Sequence, residues 1–119
     1  MAAPNLKSPT TITGKTAVYA VTASLASVLT NSAASGKVFK VNCIRAANID
    51  GSSPQDISIT FYRSTVDTYL AKSVSVPVRS VYIALAKDEY IYLEEGDALR
   101  AQATATSKHE LTITYEEIT

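Results

Sequence analysis

The feature that most constrains this chain is a strict alternation of apolar and polar residues with a period of two. The clearest example is DISITFYR at positions 56–63, and the same alternation recurs in VYIAL at 81–85 and LTITY at 111–115. Successive side chains of a β-strand point to opposite faces, so this period predicts strands with one buried face. We expect the core to contain Ile57, Ile59, Phe61, Val81, Ile83, Leu111 and Ile113.

Two further segments also favour strands. In KVFKVNCIRA at 37–46, Phe39, Val41 and Cys43 share one face, while apolar residues on the other face indicate cover on both sides. The stretch 17–29 contains alanine and leucine, but its valines and threonines are β-branched and no capping box precedes it. We interpret it as one or two strands. It is too short and too polar to cross a membrane.

Turn-forming residues separate these strands at intervals of about 8–12 residues. They are NIDGSSP at 48–54, PVRS at 77–80 and EEGD at 94–97. The spacing predicts an all-β fold: a single antiparallel two-sheet β-sandwich, immunoglobulin-like or jelly-roll-like, with about seven to eight strands and no long helix. Residues 1–14, which include Pro4 and Pro9, are predicted to be an extended N-terminal arm. Residues 15–119 are predicted to form the sandwich.

The charge balance limits the partners. The chain has 119 residues, with 11 Lys plus Arg and 11 Asp plus Glu. Such a chain fits one domain and creates no field that would attract a phosphate backbone or anionic lipid. We therefore expect no nucleic-acid partner and no membrane partner. The first residues, MAAPNLKSPTT, lack the apolar stretch of a secretory signal, so synthesis in a cytoplasm is expected.

Catalytic chemistry finds little support. Cys43 is the only cysteine and His109 the only histidine, which excludes an intrachain disulfide, a zinc thiolate cage and a multi-histidine metal site within one chain. His109 lies between Lys108 and Glu110, where a solvated turn histidine is expected. Cys43 is expected to be a small buried apolar side chain. We predict no catalytic residue, no metal ligand, no cofactor and no enzymatic activity.

Two acidic groups need an interpretation. Glu94, Glu95 and Asp97 crowd around Gly96 and could supply oxygen ligands to a hard cation such as calcium, although the alternating ligand positions of a calcium loop are missing. We favour the alternative, a solvated turn in which Gly96 adopts a conformation that a Cβ atom disfavours. The pair at 116–117 is interpreted as a charged strand end that discourages edge pairing.

The chain has seven tyrosines and no tryptophan. Tyr62, Tyr69 and Tyr82 fall on predicted outward faces, where tyrosine suits protein interfaces and sugar sites. Tyrosine is also a good strand residue that covers cross-strand neighbours. The sequence leaves both interpretations open.

The order of several motifs resembles a family of small virion structural proteins of tailed bacteriophages. The motifs are TITGKTA, VLTNSAASGKVFKVN, NIDG, ITFYRS, SVSVP, IYLEEGDALR and TYEEI, which together extend from Thr11 to the end of the chain. The most specific pieces are TNSAASGKVFKVN and IYLEEGDALR, and neither carries an active-site signature.

The resemblance implies a β-sandwich subunit of an assembled particle. The expected role is a capsid decoration or cement protein that binds between major capsid proteins of the virion, which is assembled in the cytoplasm of the bacterial host. A homo-oligomer, with a trimer favoured, would strengthen attachment. The alternatives are a neck, baseplate or fibre component of the tail, or a carbohydrate-binding or adhesion module. The candidate contact residues are Pro4, Leu6, Ile12, Tyr62, Tyr69 and Tyr82.

Overall fold

A computed structural model describes residues 4–119, which form β-strands joined by turns and one short 3-10 turn at Lys87–Glu89. The strands are β1 (Ile12–Ala20), β2 (Ala26–Thr30), β3 (Val38–Asn48), β4 (Gln55–Arg63), β5 (Val66–Val76), β6 (Val81–Leu85), β7 (Ile91–Leu93), β8 (Ala98–Ala103) and β9 (His109–Ile118). The stretch 17–29 contributes to β1 and β2, so its interpretation as strands is confirmed. None of the described helices is long and apolar enough to cross a membrane.

The strands form two antiparallel sheets that pack face to face. Sheet A has the order β1-β9-β3-β6, with β7 also paired to β3, and sheet B has the order β2-β8-β4-β5. The chain changes sheet at every connection except β4 to β5 and β6 to β7, and the strand orders are those of a jelly roll. The predicted β-sandwich is therefore confirmed. Within residues 4–119 there are nine strands, one more than expected, because the 3-10 turn splits the neighbour of β3 into β6 and β7.

The core lies between the two sheets and agrees with the sequence prediction at most positions. Ile57, Ile59, Leu111 and Ile113 are fully buried, and Phe61 is half-buried. The prediction was wrong for the residues of β6: Val81 and Ile83 are each 53% exposed. The alternate residues Tyr82 and Ala84 pack against the core instead. An irregularity in the pairing of β3 with β6, between Ile44 and Arg45, then returns Leu85 to the core side.

A bulge in β3 explains a second difference. The pairing of β3 with β9 skips Asn42, so buried positions change from odd numbers (Phe39 and Val41) to even numbers (Ile44 and later residues). Cys43 was predicted to share the core face of Phe39 and Val41. It is only half-buried, because the extra residue Asn42 exchanges the two faces of β3 and places Cys43 on the outer side.

The N-terminal arm is shorter than predicted. Strand β1 begins at Ile12, which pairs with Ile118, so the last three residues of the predicted arm belong to sheet A. The N–H groups of Thr10 and Thr11 donate to the carbonyl of Thr119 at 2.7 and 3.3 Å. Of the predicted arm, residues 1–3 lie outside the described residues.

The described part of the arm crosses the outer face of its own sheet. Pro4 and Leu6 line a shallow groove of about 230 Å³ together with Val38 and Tyr92. Val38 points to the outer side of β3, yet it is only 5% exposed. The arm therefore covers apolar side chains of its own chain in addition to any contact with a partner.

Candidate functional site

The acidic turn between β7 and β8 is the most polar cluster that the sequence singled out. Gly96 has φ +89°, which confirms that this position favours glycine. Asp97, however, is only 2% exposed, so the turn is not simply solvated. The prediction of a solvated turn was wrong at this residue because Arg63, at the end of β4, covers the carboxylate.

Arg63 contacts two of the three acidic residues. Its Nε donates to Oδ1 of Asp97 at 2.9 Å, and its Nη2 donates to Oδ2 of Asp97 at 2.5 Å and to Glu94 at 2.7 Å. These contacts, with Asp97 first, raise the pKa of Arg63 above its ordinary value. Asp97 Oδ2 also accepts the backbone N–H of Glu94 at 2.8 Å. The cluster is therefore an arginine–carboxylate clamp that joins β4 to the turn before β8.

A cation site is not assembled in the described part of the chain. No group of three or more His, Cys, Asp or Glu side chains among residues 4–119 is disposed to hold a metal ion. The remaining acid of the turn, Glu95, accepts the backbone N–H of Gly36 at 3.0 Å and so ties the turn to the loop between β2 and β3.

Asn31 joins the same two loops, and the sequence reasoning missed it. Its Nδ2 donates to the carbonyls of Lys37 and Leu93 at 2.9 and 3.0 Å, and its Oδ1 accepts the hydroxyl of Ser35 at 2.6 Å. Its backbone also exchanges hydrogen bonds with the acidic turn, to which Gly96 and Asp97 contribute. The residue is fully buried. The signal was the asparagine itself, which follows an apolar strand and precedes a loop of small residues.

His109 is a core residue, and its predicted position in a solvated turn was wrong. It is fully buried, and its Nε2 lies 3.0 Å from the carbonyl of Gln55. Its Nδ1 makes no hydrogen bond within residues 4–119. Although Lys108 and Glu110 are charged, the alternation of β9 turns the side chain between them inward.

The tyrosines do not converge on one concavity. Tyr62 and Tyr69 belong to neighbouring strands of sheet B, where Arg100 and Lys72 lie over their rings at 4.7 and 4.9 Å. Tyr82 lies in β6 of sheet A. Tyr90 precedes β7 and packs edge-on against Tyr92. The rings are thus divided between the two sheets.

The acidic pair at 116–117 does not protect an edge, because β9 lies between β1 and β3 in the interior of sheet A. Glu117 binds Lys15 of β1 at 3.0 Å and Lys37 at 2.7 Å. The hydrogen bond from Lys37, followed by that from Lys15, lowers the pKa of Glu117 below its ordinary value. The earlier interpretation was wrong because pairing order is a long-range property. Glu117 instead joins β1 and the start of β3 to β9.

Three of the six candidate contact residues are exposed: Leu6 at 48%, Ile12 at 55% and Tyr69 at 45%. Pro4, Tyr62 and Tyr82 are half-buried. The sequence reasoning missed the most exposed large apolar side chain of the described residues, Val18 of β1, at 77%. Cross-strand pairing places Val18, Thr112, Arg45 and Ile83 in one row across sheet A.

Comparison with known proteins supports the fold. No protein-family model matches the chain, and no curated protein matches it. Among solved structures, the chain is similar to a protein of Bacillus endospore appendages, which form a novel family of disulfide-linked pili. The two chains are 16% identical, with a TM-score of 0.54, and the alignment covers 91% of this chain and 88% of the other. At this identity the likeness shows the fold alone, a two-sheet β-sandwich.

Proposed function

We propose that this protein is a non-enzymatic virion structural protein, a capsid decoration or cement subunit that binds between major capsid proteins of a tailed bacteriophage. The observation that carries the proposal is the row across the outer face of sheet A. Val18 and Ile83, at its two ends, are 77% and 53% exposed. Val81, on the same side of β6 as Ile83, is also 53% exposed, so the outer face of sheet A presents several exposed large apolar side chains, as is typical of a surface that binds another protein.

The proposal also agrees with the roles of the polar side chains. Asp97, Asn31 and His109 hold loops and strands together inside one subunit. The net charge is zero, so attachment would depend on apolar contacts and hydrogen bonds. Exposed ion pairs each contribute only about 0–1 kcal/mol and are screened by salt. Binding to the particle should therefore depend little on salt.

The test measures how much protein remains on purified virions of the phage that encodes it, over a series of salt concentrations. Ile83→Glu places a charge on the outer face of sheet A and should release the protein. Val66→Glu is the matched control, because Val66 is 60% exposed but lies in β5 of sheet B. Equal retention of the two variants would contradict the proposed contact face. Absence of the protein from virions would contradict the virion assignment.

A second candidate is a subunit of a surface filament, which the likeness to the endospore appendage protein favours. Cys43 is the only cysteine in the 119 residues, so each copy can form at most one intermolecular disulfide. A linear chain of subunits linked by disulfides needs at least two per copy. A filament of this protein would therefore depend on non-covalent contacts. Electron microscopy of the purified protein distinguishes filaments from discrete oligomers.

The division of the tyrosines between the two sheets disfavours a sugar site built from Tyr62, Tyr69, Tyr82 and Tyr90, because stacking platforms must face one concavity.

The tail alternatives, neck, baseplate or fibre, would use the same outer face of sheet A. Imaging of labelled virions distinguishes the tail from the head.

A further inference from the structure

Strand β1 is an open edge of sheet A, and it lacks the features that protect the other edges. It pairs residue for residue with β9 over Ile12–Ala20 with no irregularity, and among residues 4–119 no strand lies on its other side. It contains no proline and no acidic residue, and its single charge, Lys15, is bound to Glu117. A long regular edge strand of this kind is a template for pairing with another strand.

The other three edges are interrupted. Strand β2 has only five residues and an irregular register. Strand β5 pairs with β4 through two irregularities, has a positive φ at Ser73 and carries Asp67 and Lys72. The edge formed by β6 and β7 is broken by the 3-10 turn at Lys87–Glu89. These features discourage the addition of another strand at those edges, and β1 lacks them.

The hydrogen-bonding groups of β1 that face outward can be assigned from the register. Thr11 and Thr119 exchange both backbone hydrogen bonds, and the N–H of Val21 donates to His109. Bonded pairs alternate in an antiparallel ladder, so odd-numbered residues of β1 bond to β9. The even-numbered residues direct N–H and C=O to the open edge, and all of them are exposed: Ile12, Gly14, Thr16, Val18 and Ala20.

The described part of the N-terminal arm leaves this edge accessible. From Thr11 the chain runs backward across the outer face of sheet A, and Pro4 and Leu6 reach Val38 of β3. The arm therefore leads away from β1 toward the opposite edge. Because the net charge is zero, no long-range repulsion keeps two copies apart.

We propose that β1 pairs with β1 of a second copy of this chain, antiparallel about a twofold axis at Thr16, and joins two copies of sheet A into one continuous sheet. The five outward-facing residues of each strand then form about ten backbone hydrogen bonds, two for each bonded pair. This inference does not depend on the proposed virion function. It gives a dimer as the first assembly, where the sequence resemblance implied a trimer.

The sequence of β1 favours this register because it sets large side chains opposite small ones. Ile12 faces Ala20 of the second copy, and Val18 faces Gly14 of the second copy. Lys15 faces Ala17 of the second copy. A shift of the axis by one residue, to position 15, would set the two lysines directly opposite each other, and like charges in that position are destabilising.

The register makes a sharp test possible, because only the residue on the axis faces itself. Thr16→Lys should repel Thr16→Lys of a second copy, and Thr16→Glu should repel itself in the same way. Each variant alone should dimerise at least about fivefold more weakly than the wild type. An equal mixture of the two should recover the dimer, because the opposite charges then face each other. Sedimentation velocity over a concentration series measures the dissociation constant.

The matched control is the same pair of substitutions at Thr68, an exposed threonine in the edge strand β5. These variants should dimerise like the wild type, alone and mixed. Far-ultraviolet circular dichroism checks that each variant is folded. Hydrogen exchange of the wild type gives a second measurement: the amides of Thr16 and Val18 should become protected as concentration rises. A wild type that stays monomeric, an oligomer that the Thr16 variants do not weaken, or mixing without recovery would overturn the proposal.

Discussion

Arg63 and Asp97 join the end of β4 to the turn before β8 through two hydrogen bonds, Nε to Oδ1 at 2.9 Å and Nη2 to Oδ2 at 2.5 Å. The two side chains differ in exposure. That of Asp97 is 4% exposed, and that of Arg63 is 48% exposed. A half-exposed guanidinium group therefore neutralises a carboxylate that is itself nearly buried.

The first prediction concerns this pair. Arg63→Met should lower the free energy of unfolding by about 2 kcal/mol, because it leaves the Asp97 carboxylate buried without its counterion. Arg100→Met is the control, since Arg100 and its partner Asp67 are each about one-quarter exposed. It should cost less than about 1 kcal/mol. Urea denaturation measures the free energy of unfolding of both variants. Equal losses would show that the burial of Asp97 does not increase the cost of removing its partner.

The fold was predictable because its signals are local. The alternation at 56–63 and at 111–115 correctly predicted two strands and the inward positions Ile57, Ile59, Leu111 and Ile113. The prediction of a single buried face was wrong for β4, because Ser58 and Thr60 on its other face are buried as well. The failures came from long-range pairing. The inward face of β6 depends on an irregularity opposite Ile44, and the position of Cys43 depends on a bulge that pairing with β9 creates. The position of an irregularity in strand pairing depends on residues of another strand, so it cannot be predicted from the local sequence.

The candidate site shows the same limit. The need for glycine at Gly96 could be predicted from the turn, because φ is a local property. The partner of Asp97 could not, since Arg63 is 34 positions away in the chain. His109 was misplaced for a related reason: its charged neighbours suggested water, whereas the register of β9 decides which way the side chain points.

The second prediction concerns the pH dependence of stability through Glu117. Its folded-state pKa lies below its ordinary value of 4.5, so it binds a proton less readily in the folded protein. Its stabilising contribution is present above pH 4.5 and is lost as the pH falls through the folded-state pKa. Glu117→Gln should therefore lower stability by about 1 kcal/mol at pH 7. The difference from the wild type should vanish in strong acid.

Thermal unfolding of the two proteins between pH 7 and pH 2 checks this. The hydrogen bond with Glu117 also raises the pKa of Lys15 above its ordinary value of 10.5. The stabilising contribution of Lys15 should therefore be fully present below pH 10.5 and be lost as the pH rises through the folded-state pKa. A constant difference between wild type and Glu117→Gln across the acid range would contradict the assignment.

The third prediction concerns Asn48, which fixes the loop after β3. Its Nδ2 donates to the carbonyls of Val76, Ser53 and Pro77 at 3.0 to 3.2 Å, and the residue is 1% exposed. Asn48→Asp keeps the shape but removes the donor and sets a carboxylate against carbonyl oxygens. We expect a loss of about 2–3 kcal/mol in the free energy of unfolding.

The matched control for Asn48 is Asn5→Asp. Asn5 is exposed, and its Oδ1 accepts the backbone N–H of Lys7 at 3.0 Å, a role that a carboxylate can also perform. Denaturant unfolding should give a change within about 0.5 kcal/mol for this variant. Equal effects of the two substitutions would show that the donor bonds of Asn48 contribute little.

The last prediction uses the hairpin between β4 and β5. Arg63 pairs with Val66, and the two residues between them, Ser64 and Thr65, have φ of 50° and 64°. Positive φ at both positions defines a type I′ turn, which favours Asn-Gly and strains a β-branched residue. Ser64→Asn with Thr65→Gly should therefore raise the free energy of unfolding by about 1 kcal/mol.

The control is Thr68→Gly, in the regular part of β5, which should lower the free energy of unfolding because glycine weakens a strand interior. If the turn variant is no more stable than the wild type in urea denaturation, the left-handed conformation of Thr65 carries no strain that glycine can relieve.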